Sequence, residues 1–416
     1  MRKNILFIIM CMFLVSCGNE HEEVNEIRLG EPDPFAFIDP YIEGKTLIFL
    51  GESSHYTTEI PEVKLELIKY LVENHGVSVI AFESSSAETN YLNVHRDEFE
   101  ANEMVEGIIT SYFSAEPYVN MMEYVKSNER LQIVGLEAMP VGGQVDLGND
   151  RLIKYIGEQL APYDETNARL FINTEKSFQS FVNTVYDRGE ELQDNIQWKD
   201  SLLDRYKRIY GEIEAVPSLH HIRSYIEDRM ESLEVVFDPS FLDGYEMVHH
   251  EQENLSRRDL ASKNNLRNVL ETIEEDEKVI VWAHNMHIQK NNTSLHYIAP
   301  ELKEMFDPHP LVLGSIIPDE LKKKSYHIGI FFNHGRIYGH GEPWMIDRKV
   351  NVNEMEYQLH SYGFPLVFMD FSQAEHVNAW FHKSMITYYV GYLQYELIPS
   401  EQYDGVIFLE KVTELQ

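Results

Sequence analysis

The chain has 416 residues, of which 43% are hydrophobic and 12% aromatic, enough to bury a large core and to form more than one domain. Its 35 Lys and Arg stand against 69 Asp and Glu, leaving a formal net charge of −34. A chain so acidic is repelled by nucleic acid and by anionic lipid heads, which excludes nucleic acid as a partner.

In chain order, the first signal is at the amino terminus. Arg2 and Lys3 precede the short apolar run ILFIIMCMFLV, a signal-peptide pattern too short to span a bilayer as a lone helix. The following LVSCG resembles a bacterial lipobox, in which Cys17 would be lipidated and become the first mature residue. The expectation is a signal peptide over residues 1–16, a tether over 17–34, and a bacterial lipoprotein exported and anchored to the membrane by its amino-terminal lipid, at the cell surface or periplasmic face. Cys11 and Cys17 are the only two cysteines, so the mature domain is expected to have no disulfide, no thiol nucleophile and no Cys-based zinc site.

Five segments then read as buried strands: TLIFLG (46–51), VSVIAFE (77–83), LQIVGLE (131–137), KVIVWAH (278–284) and YHIGIFF (326–332). Near-continuous apolar runs suit a parallel sheet covered on both faces. Helical patterns separate the strands. In EIPEVKLELIKYLVENHG, Ile60, Val63, Leu67 and Leu71 fall at helical spacing, and Gly76 is the stop. The fold class predicted is α/β, a parallel-sheet core with flanking helices. Residues 35–144 form the first part of the core. Residues 145–250, charged, aromatic-dotted and without a strand pattern, form an inserted helical subdomain. Residues 251–416 complete the core and, through FPLVFMDF and DGVIFLEKV, add a smaller C-terminal α/β lobe.

The acids and histidines fall at strand ends. Glu52 and His55 follow the first strand, Glu83 ends the second, Glu137 the third, and His284 with His287 lies at the end of the fourth. In an open parallel sheet those ends share one edge, outside which ligands bind. No G-x-S-x-G elbow and no Gly-rich phosphate loop is present. Ser53 and Ser54 are expected to shape the turn and cap the next helix rather than act as nucleophiles. The chemistry left is acid–base hydrolysis, with an imidazole taking a proton from water and a neighbouring carboxylate fixing its tautomer. Two alternatives use the same residues: a metal-dependent hydrolase, since E-x-x-H and H-x-x-H supply ligands, and a surface lipoprotein that binds a ligand without turnover.

GESSH, AFES, RRDLASKNNL, VWAHNMHIQK, YHIGIFF and DGVIFLEKV, in that order, resemble the erythromycin esterase family over residues 35–412. The resemblance implies an α/β core with a helical insert and a hydrolytic pocket between them. It implies His55 as the base, Glu52 beside it, and Glu83, His284 and His287 in the site. Arg258, or its neighbour Arg257, corresponds to a basic residue that is a charge partner or oxyanion aid. Glu137 stands where many members carry an aspartate. The resemblance further implies a small-molecule ester or lactone as substrate and no cofactor. An exported esterase could destroy a macrolide outside the cell, or act on another ester.

Overall fold

The computed structural model describes residues 24–108, 115–138, 146–188, 196–214, 216–236, 251–339, 342–372 and 379–415. Cys17 and the signal segment lie outside them. Among the described residues the main sheet has nine strands: β1 Val24–Glu26, β2 Leu47–Leu50, β3 Val77–Ser85, β4 Gln132–Glu137, β5 Lys278–Trp282, β7 Ser325–Gly339, β8 Glu342–Ile346, β9 Leu366–Asp370 and β12 Gly405–Val412. Its order is β1-β9-β12-β7-β2-β5-β3-β4, with β8 folded back on β7. The run from β12 to β4 is parallel throughout, while β9, β1 and β8 pair antiparallel.

Alternation along the strands shows why their sequences are apolar without a break. Ile48 and Leu50 pack into one core, Leu47 and Phe49 into another on the opposite face. In β5, Ile280 and Trp282 enter the first core, and Val279 and Val281 the second. A strand buried on both faces has no polar side to alternate with.

Among the described residues the helices of eight residues or more are α1 Glu59–His75, α2 Ser86–Val94, α3 Ala101–Ile108, α4 Glu116–Ser127, α5 Asp146–Leu160, α6 Glu165–Arg188, α7 Ile196–Ile213, α8 His220–Val236 and α9 Glu251–Leu270. Helix α1 ends at His75, directly before the expected Gly76. Among the described residues between 145 and 250 there are helices and no strand of the sheet. No helix among the described residues is long and apolar enough to cross a membrane.

The C-terminal segment divides in two. Strands β9 and β12, from FPLVFMDF and DGVIFLEKV, extend the main sheet. A separate antiparallel sheet is made by β6 His296–Tyr297, β10 Met385–Tyr389 and β11 Leu393–Leu397.

Candidate active site

The strand register explains how residues from four places in the chain meet. Leu50 lies opposite Trp282, and Trp282 opposite Phe82, so Glu52, His284 and Glu83 emerge one or two residues beyond a common row. Glu137 lies opposite Ser85 on the neighbouring strand. The turn after β2 passes so close to the turn after β5 that a Cβ on Gly51 would lie 2.0 Å from Asn285 Oδ1. Asn285 occupies that space to lock the two turns. Its backbone N–H donates to Glu52 O at 2.8 Å, and its side chain exchanges hydrogen bonds with Ile330 of β7 at 2.9 and 3.1 Å.

Glu52 is buried beneath His55. His55 Nδ1 donates to Glu52 Oε1 at 2.6 Å, while Glu52 Oε2 accepts from Lys64 Nζ at 2.6 Å and from Trp282 Nε1 at 3.0 Å. Lys64, on α1, is 0% exposed and lies 4.2 Å from the centre of the Trp282 ring. Burial would drive Glu52 toward its neutral form, but the charges and hydrogen bonds of Lys64 and His55 more than offset this and hold its pKa below the usual value. Burial likewise opposes the charged form of His55, yet the hydrogen bond and charge of Glu52 outweigh it and raise the imidazole above its ordinary value. The Nδ1–carboxylate bond sets the lone pair on Nε2 when His55 is neutral. Burial pushes Lys64 down to about 8, against the pull of Glu52.

His284 lies beside this pair, with ring centres 5.2 Å apart. Its own backbone N–H donates to Glu83 Oε2 at 2.7 Å. Its Nδ1 accepts from Met286 N–H at 3.2 Å, so the ring proton belongs on Nε2. Burial, helped by the charge of His55, lowers its pKa to about 3, which keeps the imidazole neutral. Nε2 is buried with no hydrogen-bond partner among the described residues. A neutral donor held without a partner beside a base is suited to an oxygen that gains charge during a reaction.

His287 has the opposite environment. Its Nδ1 donates to Asp259 Oδ1 at 2.6 Å and its Nε2 to Glu83 Oε1 at 3.0 Å. Burial disfavours its charge, but the two carboxylates raise the imidazole well above its ordinary value. Asp259 Oδ2 is tied down by Leu313 N–H at 2.6 Å. Glu83 would be raised by burial, but His287, His55 and Arg258 hold it well below the carboxylate range. Arg258 bonds to Glu137 through Nε at 3.1 Å and through Nη2, and its Nη2 stands 3.7 Å from Glu83.

Glu52, His55, Glu83, His284, His287, Arg258 and Glu137 therefore converge in one cluster. Among the described residues no group of three or more His, Cys, Asp or Glu side chains is arranged to hold a metal ion. The carboxylates are instead matched to Lys64, Arg258 and the His287 imidazolium. The serines of the turn differ in part from expectation. Ser54 Oγ accepts from Tyr56 N–H at 3.2 Å and so shapes the turn, but Thr58 is the residue before α1, and no side chain caps that helix. The turn is too long for either serine to reach the helix end.

Four contributors were not singled out from the sequence: Lys64, Trp282, Asp259 and Asn285. Lys64 had a signal, being a cation on the apolar face of α1 between Ile60 and Ile68 at four-residue steps. Trp282 read only as a strand residue. Asp259 follows Arg258 in RRD, where two neighbouring opposite charges look like an exposed helix turn.

A mostly parallel sheet flanked by helices, with carboxylates and imidazoles gathered at its carboxyl edge, defines an α/β protein. The erythromycin esterase family model matches residues 72–412, and the chain belongs to that family. Among its relatives is YbfO of Bacillus subtilis, a protein provisionally named a hydrolase, 25% identical over 91% of this chain and 86% of its own length. Erythromycin esterase type I of Escherichia coli is 25% identical over 62% of this chain and 66% of its own length. A Bacillus cereus crystal structure shares the fold at a TM-score of 0.74 and 15% identity, covering 94% of this chain and 96% of that one. A histidine-to-asparagine variant of the erythromycin esterase EreC, in its open conformation, does so at 0.60 and 16%, covering 92% and 95%. Family and relatives indicate a hydrolase acting on a small molecule.

Proposed function

We propose that the protein hydrolyses a carboxylic ester or lactone, with His55 as the general base. His55 Nε2 takes a proton from a water whose oxygen attacks the carbonyl carbon. Glu52 stabilises the imidazolium that forms, and Lys64 with Trp282 keeps Glu52 ionised and in place. The tetrahedral oxyanion accepts a hydrogen bond from His284 Nε2. Collapse breaks the carbon–oxygen bond, and the leaving alkoxide recovers the proton from His55, giving an acid and an alcohol. Glu83 holds the His284 backbone and balances His287 and Arg258, which steady the positive side of the site.

One observation carries this reading: a carboxylate-bound imidazole lies 5.2 Å from a neutral imidazole whose buried Nε2 has no partner among the described residues. The test is incubation of the purified, metal-stripped protein with a panel of esters and lactones, a macrolide included, reading mass gain of one water. His55→Ala should lose roughly 10²–10⁴-fold in rate. Unchanged turnover in that variant would remove His55 from the mechanism. Activity that returns only with added metal would replace this mechanism by a metal-dependent one.

The site would work outside the cytoplasm, carried there by the amino-terminal segment and held by a lipid on Cys17. Incorporation of labelled fatty acid that disappears in Cys17→Ser is the expected result. Equal labelling of both proteins would contradict it.

A further inference from the structure

Past the end of β2, the neighbouring edge of β7 is completed by side chains. The pairing of the two strands ends at Leu50 opposite Ile328, whose carbonyl accepts from Gly51 N–H at 2.8 Å. Two residues on, Ile330 O accepts from Asn285 Nδ2 at 2.9 Å, and two further on, Phe332 O accepts from Arg348 Nη1. Alternate carbonyls of a strand face the same neighbour, so the three donors form one row. Gly51 and Asn285 belong to the turns that carry Glu52 and His284. Arg348, from beyond β8, bonds no residue of that cluster.

Arg348 holds something else against the row. Its Nη1 also donates to Asn333 O at 2.8 Å, and its Nη2 to Gly391 O at 3.1 Å. The guanidinium lies 4.2 Å from the centre of the Tyr388 ring. Three carbonyls converging on one side chain call for several donors in a rigid plane, which arginine has and lysine lacks. Gly391 lies in the turn between β10 and β11, which pair up to Tyr389 opposite Leu393. There Val390 has φ of 43° and Gly391 of 84°. Positive φ is an outlier for a β-branched residue and persists only where the surroundings impose it. A Cβ on Gly391 would come within 2.7 Å of Phe332 Cζ, so the turn is pressed onto β7.

Tyr389, the residue before this pair, carries the constraint into the site. Its ring meets that of His284 at 5.0 Å and an interplanar angle of 72°, and that of Phe306 at 5.7 Å and 82°. His284 needs such support. Its Nδ1 is held by a single bond from Met286 N–H at 3.2 Å, the long end of the usual range, and its Nε2 has no partner among the described residues. The second side-chain torsion of histidine is broad, so one long bond leaves the ring room to tilt.

We propose that Arg348 is a positioning residue for His284: it holds the β10–β11 turn on β7, and the turn sets Tyr389 against the imidazole so that Nε2 keeps its direction. The effect on turnover rests on the hydrolytic reading of the site; the placement of the ring does not. A tilted ring offers the oxyanion a longer, bent hydrogen bond and changes binding of the uncharged ester little.

Two readouts test this. Histidine ring signals of the substrate-free protein are recorded by NMR, those of His284 being the set lost in His284→Gln. Tyr389→Leu removes a ring current and should displace them, and Arg348→Met should displace them in the same direction. On 4-methylumbelliferyl acetate, Arg348→Met should lower kcat on the order of tenfold to a hundredfold and leave KM within about twofold. Because Arg348 acts through Tyr389, the double variant should lose no more than the worse single variant. If circular dichroism shows that Arg348→Met does not fold, Arg348→Lys, which keeps the charge without the fork, is read in its place for the same changes. Unmoved His284 signals in a folded Arg348 variant, or losses that multiply in the double variant, overturn the proposal. Displaced signals in both single variants of a protein that leaves the probe intact sustain the positioning role and count against the hydrolytic reading.

Discussion

Lys64 occupies a place on α1 where a leucine would pack, yet it is a cation with no exposed surface. Its Nζ reaches Glu52 at 2.6 Å, so one carboxylate is shared by a lysine and the candidate base. The arrangement has a consequence for pH. Glu52 raises the pKa of His55, and the charge of Lys64 lowers it. The base works only when neutral, so kcat/KM should climb with pH through a value above that of an ordinary histidine. Lys64→Met removes the lowering charge, so the acid limb should move to higher pH. Glu52→Gln removes the raising partner, so the limb should move to lower pH and kcat should fall. Histidine NMR titration of the substrate-free protein reads the same shifts without a substrate. A limb that moved down in Lys64→Met would show that Lys64 acts on His55 in some other way.

At the scale of elements, the helices between β4 and β5 are joined to the helices that flank the sheet by buried charge. Arg229 of α8 bonds Glu88 of α2 at 2.9 Å and Glu175 of α6 at 3.2 Å, and Glu175 also accepts from Tyr206 at 2.6 Å and Tyr225 at 2.5 Å. Neighbouring Asp228 receives Ser86 of α2 and, at 3.1 Å, Asn265 of α9. These bonds fasten the insert to the helix that follows Glu83 and to the helix that carries Arg258. Breaking a buried pair strands the remaining charges, typically at a cost of about 3–5 kcal/mol. Arg229→Met should therefore lower the urea midpoint substantially and leave Glu88 and Glu175 uncompensated. A variant as stable as the parent would mean that water reaches these carboxylates.

None of that network was legible, because helix patterns give faces and lengths but not which charged residues turn inward. Strands β1, β6, β8, β10 and β11, which lack an unbroken apolar run, were not read, whereas the strands of the parallel core, with β9, were legible because such a run has few other uses. Their ends were placed within about two residues, apart from β7, which continues past the expected Phe332 to Gly339 to form a hairpin with β8. Asn285 illustrates the remaining difficulty. It sits inside the recognisable HNMH segment, but its role depends on β7 lying beside β2, and strand order is not written in the strand sequences.

On the scale of the whole molecule, the site and the surface differ in charge. In the cluster, Glu52, Glu83, Glu137 and Asp259 are set against Lys64, Arg258 and the His287 imidazolium, so protonating His55 brings it close to neutrality. The chain as a whole carries a formal net charge of −34. With His55 neutral, as the base must be, the cluster keeps one net negative charge, too little for strong selection by local ion pairing, and the wider negative field acts on the approach of substrates. Cationic esters should be gathered and anionic ones repelled, with neutral ones indifferent. Salt reveals this because the screening length shrinks from about 30 Å at 0.01 M to about 10 Å at 0.1 M. Across that range kcat/KM for a choline ester should fall, that for a succinate half-ester should rise, and that for an uncharged ester should hold steady. The effect belongs to association, so kcat at saturation should not follow it. If all three esters respond alike, the surface charge does not extend over the carboxyl edge of the sheet, and the acidity serves solubility alone.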